Sequence, residues 1–403
     1  MNVPLSNQLS VKDIREMSDR ARSMLAHIKR AMLAPNSEKV EPRFSTARLS
    51  ELVNLSAQQI DYRAKKSGSE LPPGAMTKTN RREFSLGDVR SWCRALRPER
   101  MRRRDLAEAV TIAVANFKGG VGKSTTSMSL AQGLSMRGHD VLLVDLDPQG
   151  SATTLCGLLP HEDVAELDTV LALCIPDGKP GHQESIEYAV RKTYWSGIDI
   201  VPANTQLYNA EFILPTRGRA ERGFEFWNVL HYALEQARQQ YDCIILDTSP
   251  SLSYTTINAM MAADGVIMPL PPNGLDFVSS IEFWDLFQDL AENLVTRGAN
   301  KTYDFVSVLL SKVSTNDPAT EVVREWIKSS YTTSVMNAEI PLTSTAGSAS
   351  AEFGAIYDMR PGSASTRTIK RAIEAYDKMV LEVEGYLVKT WERRMAENME
   401  MVR

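Results

Sequence analysis

The stretch Lys118-Gly119-Gly120-Val121-Gly122-Lys123-Ser124-Thr125 constrains this chain more than any other. It follows an apolar run over residues 110–117 and precedes a helical pattern over 127–137. Strand, glycine-rich loop and helix, in that order, make the context of a phosphate-binding loop. Glycines let backbone N–H groups curl around phosphate oxygens with no Cβ in the way. The helix that follows adds its positive end. In such a loop Lys123 is a mobile cation for the β- and γ-phosphates, and Ser124 offers a hydroxyl to Mg²⁺. The fold expected around it is α/β: a mostly parallel P-loop sheet with helices on both faces.

The usual spacing of this motif needs a first glycine at position 117, where Phe117 stands. The loop instead carries a second lysine, Lys118, at its start. Two more apolar runs end in acids. Residues 141–153 read Val-Leu-Leu-Val-Asp145-Leu-Asp147-Pro-Gln-Gly-Ser-Ala-Thr, and residues 241–252 read Tyr-Asp-Cys-Ile-Ile-Leu-Asp247-Thr-Ser-Pro-Ser-Leu. Both are buried parallel-type strands with carboxylates at the C-terminal edge, where open α/β sheets bind ligands. At the tip of its strand Asp247 is placed to hold Mg²⁺ through water, because Mg²⁺ prefers hard oxygens and keeps much of its hydration.

Together these strings resemble the deviant Walker A ATPases of the ParA/MinD class. The resemblance implies that Lys118 crosses a homodimer interface to the partner's nucleotide and that 118–125 cradle ATP or ADP. It also implies that Asp147 orients the attacking water, that Asp145 lies near Mg²⁺, and that 248–251 form a γ-phosphate-sensing switch.

Composition divides the chain. Residues 1–105 hold 22 Lys and Arg against 12 Asp and Glu, while the remainder holds 24 against 38. A basic head on an acidic body predicts that the head meets a polyanion, with nucleic acid the expected partner. The four cysteines (Cys93, Cys156, Cys174, Cys243) form no C-x-x-C pair, so buried free thiols are expected rather than zinc ligands or disulfides. The polar start predicts no signal peptide, and no apolar run is long enough to span a membrane.

In the head, residues 8–34 show apolar positions at threes and fours behind Ser10, a helix that packs either on the head or on a second copy of the chain. Leu49, Leu52 and Val53, the turn Asn54-Leu55, and a helix capped by Ser56 have helix-turn-helix spacing. The second helix offers Gln58, Gln59, Tyr62, Arg63, Lys65 and Lys66 to base edges and phosphates. A Pro/Gly-rich segment with Arg81 and Arg82 reads as a basic wing. The arrangement resembles winged helix-turn-helix heads of MerR-type regulators and of long, type Ia ParA proteins. Arg97 to Arg104, including Arg102-Arg103-Arg104, contact phosphate or form a solvated linker. Arg217, Arg219 and Arg222 form a solvated loop or touch nucleic acid or a partner.

Strands are expected at 197–204, 263–270 and 305–313, the last clear one, and helices at 276–294, 317–330 and from about 365 onward. ParA relatives bind nonspecific DNA through basic residues of the C-terminal part, which makes Arg360, Arg367, Lys370 and Arg371 candidates here.

The resemblance implies three regions: a dimerisation helix (1–36), a winged helix-turn-helix domain (37–108) and the ATPase domain (109–403). The expected function is DNA partition by a cytoplasmic, nucleoid-associated ATPase. It would work with a ParB-like centromere-binding protein and repress its own operator. The alternatives are a nucleotide-sensing transcriptional repressor and a MinD-like positioning ATPase. The C-terminal residues, mixed in charge and weakly amphipathic, argue against the latter.

Overall fold

The computed structural model describes residues 10–33, 39–66, 70–314, 317–342, 354–359 and 366–401. It divides into two units, Met1–Val40 and Glu41–Arg403. The first contains helix α1 (Val11–Leu33). Ser10 starts it by donating from N–H and Oγ to Asp13 Oδ2 at 2.7 and 2.6 Å. Asp13 returns a backbone N–H to Ser10 Oγ. This pairing satisfies donors that a helix start leaves open.

The second unit opens with β1 (Phe44–Ser45), α2 (Thr46–Val53), α3 (Ala57–Lys65), β2 (Ala75–Met76), β3 (Arg82–Phe84) and α4 (Leu86–Leu96). The local signals explain the breaks. Ser45 caps α2 through Arg48 N–H, and Asn54 ends it at φ 53°, a left-handed position Asn tolerates. Ser56 and Gln59 form a capping box on α3. The three short strands pair antiparallel in the order β1-β3-β2. Leu49, Leu52, Ile60, Phe84, Val89 and Trp92 are buried in one core cluster.

The main sheet follows: β4 (Val110–Val114), α5 (Lys123–Met136), β5 (Val141–Asp145), α6 (Ser151–Leu155), α7 (Leu171–Cys174), β6 (Arg191–Lys192), β7 (Ile198–Val201), α8 (Ala210–Ala220), α9 (Val229–Ala233), α10 (Glu235–Gln240), β8 (Cys243–Asp247), α11 (Tyr254–Ala262), β9 (Gly265–Leu270), α12 (Gly274–Val295), β10 (Phe305–Val313), α13 (Pro318–Tyr331), β11 (Val335–Pro341) and α14 (Thr366–Met401). Strand order is β11-β10-β9-β4-β8-β5-β7-β6, parallel except for the β6 edge. One core cluster joins sheet residues to α5 and α14, and a second joins them to α7–α11, so helices cover both faces. Gly133 lets α5 and α14 meet: a Cβ there would lie 2.3 Å from Val380 Cγ2.

Two strands go beyond the sequence expectation. β11 buries Met336, Ala338 and Ile340 but turns Asn337 and Glu339 away from the core, which hides its strand character. β6 has two residues and no apolar pattern. The segment expected as a solvated arginine loop is partly helix α8, and Arg217 is buried there. Its guanidinium donates to the carbonyls of Cys174 and Ile175 and to Glu221. The four cysteines are buried thiols. Among the described residues, no helix is long and apolar enough to cross a membrane.

The change from head to main sheet near residue 108 lies inside one compact unit. Arginines of the head reach acids and carbonyls of the body. Arg48 clasps Asp377 through two hydrogen bonds of 2.6 and 2.8 Å. Buried Arg90 donates to Ser135 O, Ser135 Oγ and His139 O at the far end of α5. Arg94 donates to Gly138 O. Arg102, with no side-chain exposure, pairs with Asp242, and Arg104 reaches Asp140. The segment Arg102-Arg103-Arg104 is therefore chiefly an internal joint rather than a phosphate-contacting run. Much of the head's positive charge is spent on the acidic body.

Candidate nucleotide site

The site lies at the C-terminal edge of β4, β5 and β8. Register places Val114 opposite Asp247 and Asp145 opposite Asp247, so three strand ends converge below the glycine loop. Gly120 and Gly122 have φ of 77° and 99°, conformations that disfavour any side chain. Gly122 is the N-cap of α5 and provides no side-chain cap. The first N–H groups of a 14-residue helix thus face the loop without an internal partner, the arrangement that suits an anion.

Lys123 is buried, and its Nζ donates to Lys118 O at 3.1 Å. Burial pushes its pKa down, opposed by Asp247 and Asp147. Lys118 ion-pairs with Asp276 of α12, Nζ to Oδ1 at 2.6 Å, and its N–H donates to Asn116 Oδ1. Asp247 Oδ1 accepts from Ser127 Oγ at 2.8 Å. Its Oδ2 is buried with no hydrogen-bond partner. Burial raises the Asp247 pKa, while the nearby hydroxyls of Ser124 and Ser127 and the charge of Lys123 lower it. A buried carboxylate oxygen left open beside the Ser124 hydroxyl is what a hard divalent cation, directly or through water, would satisfy. On that ground the residues fit Mg²⁺.

Asp145 differs from its expected place among metal-facing groups. Its Oδ1 accepts Asp147 N–H, and its Oδ2 accepts both Thr153 N–H and Thr153 Oγ1. It braces the 147–153 turn from inside. Burial first, and the neighbouring Asp247 second, push its pKa well above the carboxylate range. Asp147 lies near Lys123, its Oδ1 accepting Gln149 N–H. Burial raises its pKa, opposed by that hydrogen bond and by Lys123.

Three features had no signal in the sequence. Tyr208 OH accepts from Gln149 in the 147–153 turn, and Glu211 accepts Tyr254 N–H just beyond residues 248–251, so α8 and the turn before it touch both segments. Ser311 and Lys312 at the end of β10 touch the loop itself. Beside Val121, Gly122 and Thr125 a cavity opens between β10, β11 and α14, walled by Ile340, Pro341 and Tyr376.

The head's candidates are unevenly presented. Gln58, Gln59, Tyr62, Lys65, Lys66 and Arg81 are exposed and Arg63 half-buried. Gln59 also spends Oε1 on Ser56 N–H. Arg82 is turned inward, donating to Asp61 and Pro73 O. In the C-terminal part Arg367, Lys370 and Arg371 are exposed on α14. Arg360 lies outside the described residues.

The AAA domain family matches residues 109–295. Over 232 residues the chain is 32% identical to the chromosome partitioning protein ParA of Caulobacter vibrioides, covering 57% of this chain and 79% of that one. It is 29% identical to Protein SopA of Escherichia coli K12 over 371 residues, 90% and 92% of the two chains. Among solved structures, one described as a partition protein aligns over 93% of this chain and 98% of its own with TM-score 0.63 at 17% identity, a likeness of fold. The glycine loop with its two lysines, the acids at two of the three converging strand ends and these relatives agree: the chain belongs to the ParA family of partition ATPases.

Proposed function

We propose that this chain hydrolyses ATP as a sandwich dimer and uses the nucleotide cycle to segregate DNA. The observation that carries the reading is the uncapped start of α5 beneath a two-lysine glycine loop, with the open Oδ2 of Asp247 beside Ser124. The N–H groups of 119–125 bind the phosphates, and Lys123 leaves Lys118 O to meet the β/γ-phosphates. The cavity walled by Ile340, Pro341 and Tyr376 receives the purine base. Ser124 and Asp247 would hold Mg²⁺, which supplies charge neutralisation on the phosphates. Asp147 orients water, Asp145 holds the turn that carries Asp147, and Lys118 leaves Asp276 to reach the partner's phosphates. Positioning and charge neutralisation account for most of such catalysis.

In this reading the ATP dimer binds nonspecific DNA through Arg367, Lys370 and Arg371, with binding that falls steeply as salt rises. Residues 37–108 act as a winged helix-turn-helix that reads an operator through α3 and Arg81 and represses the partition operon. α1 contributes to dimerisation. A ParB-like centromere-binding partner stimulates hydrolysis. The test is phosphate release by the wild type, Lys118→Ala and Lys123→Ala, each alone, with nonspecific DNA, and with DNA plus partner. Stimulated turnover in the wild type alone supports the proposal. No turnover above background in the wild type under any condition refutes it.

A further inference from the structure

A phosphate-binding loop turns its N–H groups inward, so its carbonyls must find partners elsewhere. Two of them are met by β10, two strands away from β4. Ser311 Oγ donates to Val121 O at 2.9 Å in a buried setting, and Lys312 Nζ donates to Gly120 O. Lys312 does not reach the loop by continuing its strand. Its φ is 52°, in the left-handed region that residues with a Cβ seldom occupy. The β10–β11 register shifts between Leu310 and Val313, which places a bulge at these two residues. Bulges beside active sites re-aim a side chain at the cost of regular pairing, and strain held at one backbone position needs surrounding structure to maintain it.

We infer that Ser311 and Lys312 are positioning residues for the nucleotide, a brace that fixes the phosphate loop from behind. By holding the Gly120 and Val121 carbonyls outward, they keep those oxygens from repelling phosphate and leave the loop's N–H groups convergent before the ligand arrives. The Lys312 ammonium, one hydrogen bond behind the loop, also adds positive potential to the cradle. The bulge exists to point both side chains at the loop. This rests on the reading of 118–125 as the ATP site.

The test is ATP binding by calorimetry in the presence of Mg²⁺, with steady-state kinetics, on the full chain. Lys312→Gly removes the ammonium and suits a positive φ, so the ligand-free protein should melt no lower than the wild type. Its Kd and KM for ATP should rise about 3- to 10-fold, the worth of one hydrogen bond, with kcat unchanged. Lys312→Arg should return both to within about twofold of the wild type, since a cationic donor is kept. Unchanged ATP affinity in Lys312→Gly, with normal binding by the wild type, overturns the inference alone. An equal loss in Lys312→Arg overturns it as well. A wild type that binds no ATP defeats both the brace and the function it rests on.

Discussion

Lys118 Nζ lies 2.6 Å from Asp276 Oδ1, so the first lysine of the loop is held by its own chain, in the first turn of α12. Asp276 is buried, while Lys118 is about one-third exposed in its side chain (36%). If Lys118 acts on a partner's nucleotide, this pair must open first. Asp276→Asn keeps the shape and removes the charge. It should raise unstimulated phosphate release roughly 2- to 5-fold, matching the modest worth of a partly exposed pair. Lys118→Ala in the same background should abolish the gain. Hydrolysis unchanged or lowered in Asp276→Asn would show that the pair is not a restraint.

Lys123 is the buried cation of the cradle, now spent on Lys118 O. Lys123→Ala should weaken ATP binding roughly 10- to 100-fold, the scale of a lost charge-assisted contact. Fluorescent-nucleotide titration checks it. Operator binding by the full chain should persist, because Lys123 takes no part in the contacts of α2–α4.

Arg81 and Arg82 should separate cleanly. Arg82 ties Asp61 of α3 to Pro73 O, so Arg82→Ala should lower stability by about 1–2 kcal/mol, read from a denaturant midpoint. Arg81 is exposed. Arg81→Ala should leave the midpoint in place and reduce the log–log salt slope of operator binding by about 1.

Glu384 of α14 has no side-chain exposure and meets Arg97, Arg137 and His139. Burial would raise its pKa, but His139 and Arg97 outweigh that and bring it down to about 2. A carboxylate with a depressed folded-state pKa stabilises above its unfolded value. That stability is present at neutral pH and is lost as pH falls from about 4.5 towards 2. Chemical denaturation across that window should show the loss in the wild type and a flatter profile in Glu384→Gln. At neutral pH the variant should be less stable by about 3 kcal/mol.

The parallel core and the cradle were legible in the sequence because their signals are local. Residues 112–114, 141–144 and 243–246 are continuous apolar runs, and glycine spacing at 119, 120 and 122 states a backbone requirement directly. What was not legible depends on partners distant along the chain. Arg90, Arg102 and Arg217 look like surface cations until the carbonyls and acids that bury them are brought near. Asp145 looks metal-facing until the 147–153 turn folds over it. Ser311 and Lys312 carry no motif, since their role arises from a bulge two strands away from the loop they touch. β11 was missed because its outward Asn337 and Glu339 break the apolar run.

Because Arg48, Arg90, Arg97 and Arg102 find their counter-charges at 377, 140, 384 and 242, the segment 41–108 is not a detachable cartridge. A chimera that grafts residues 41–108 onto a foreign ATPase must transplant those four acids with it. Without them the graft brings four guanidinium groups to a surface unable to neutralise them.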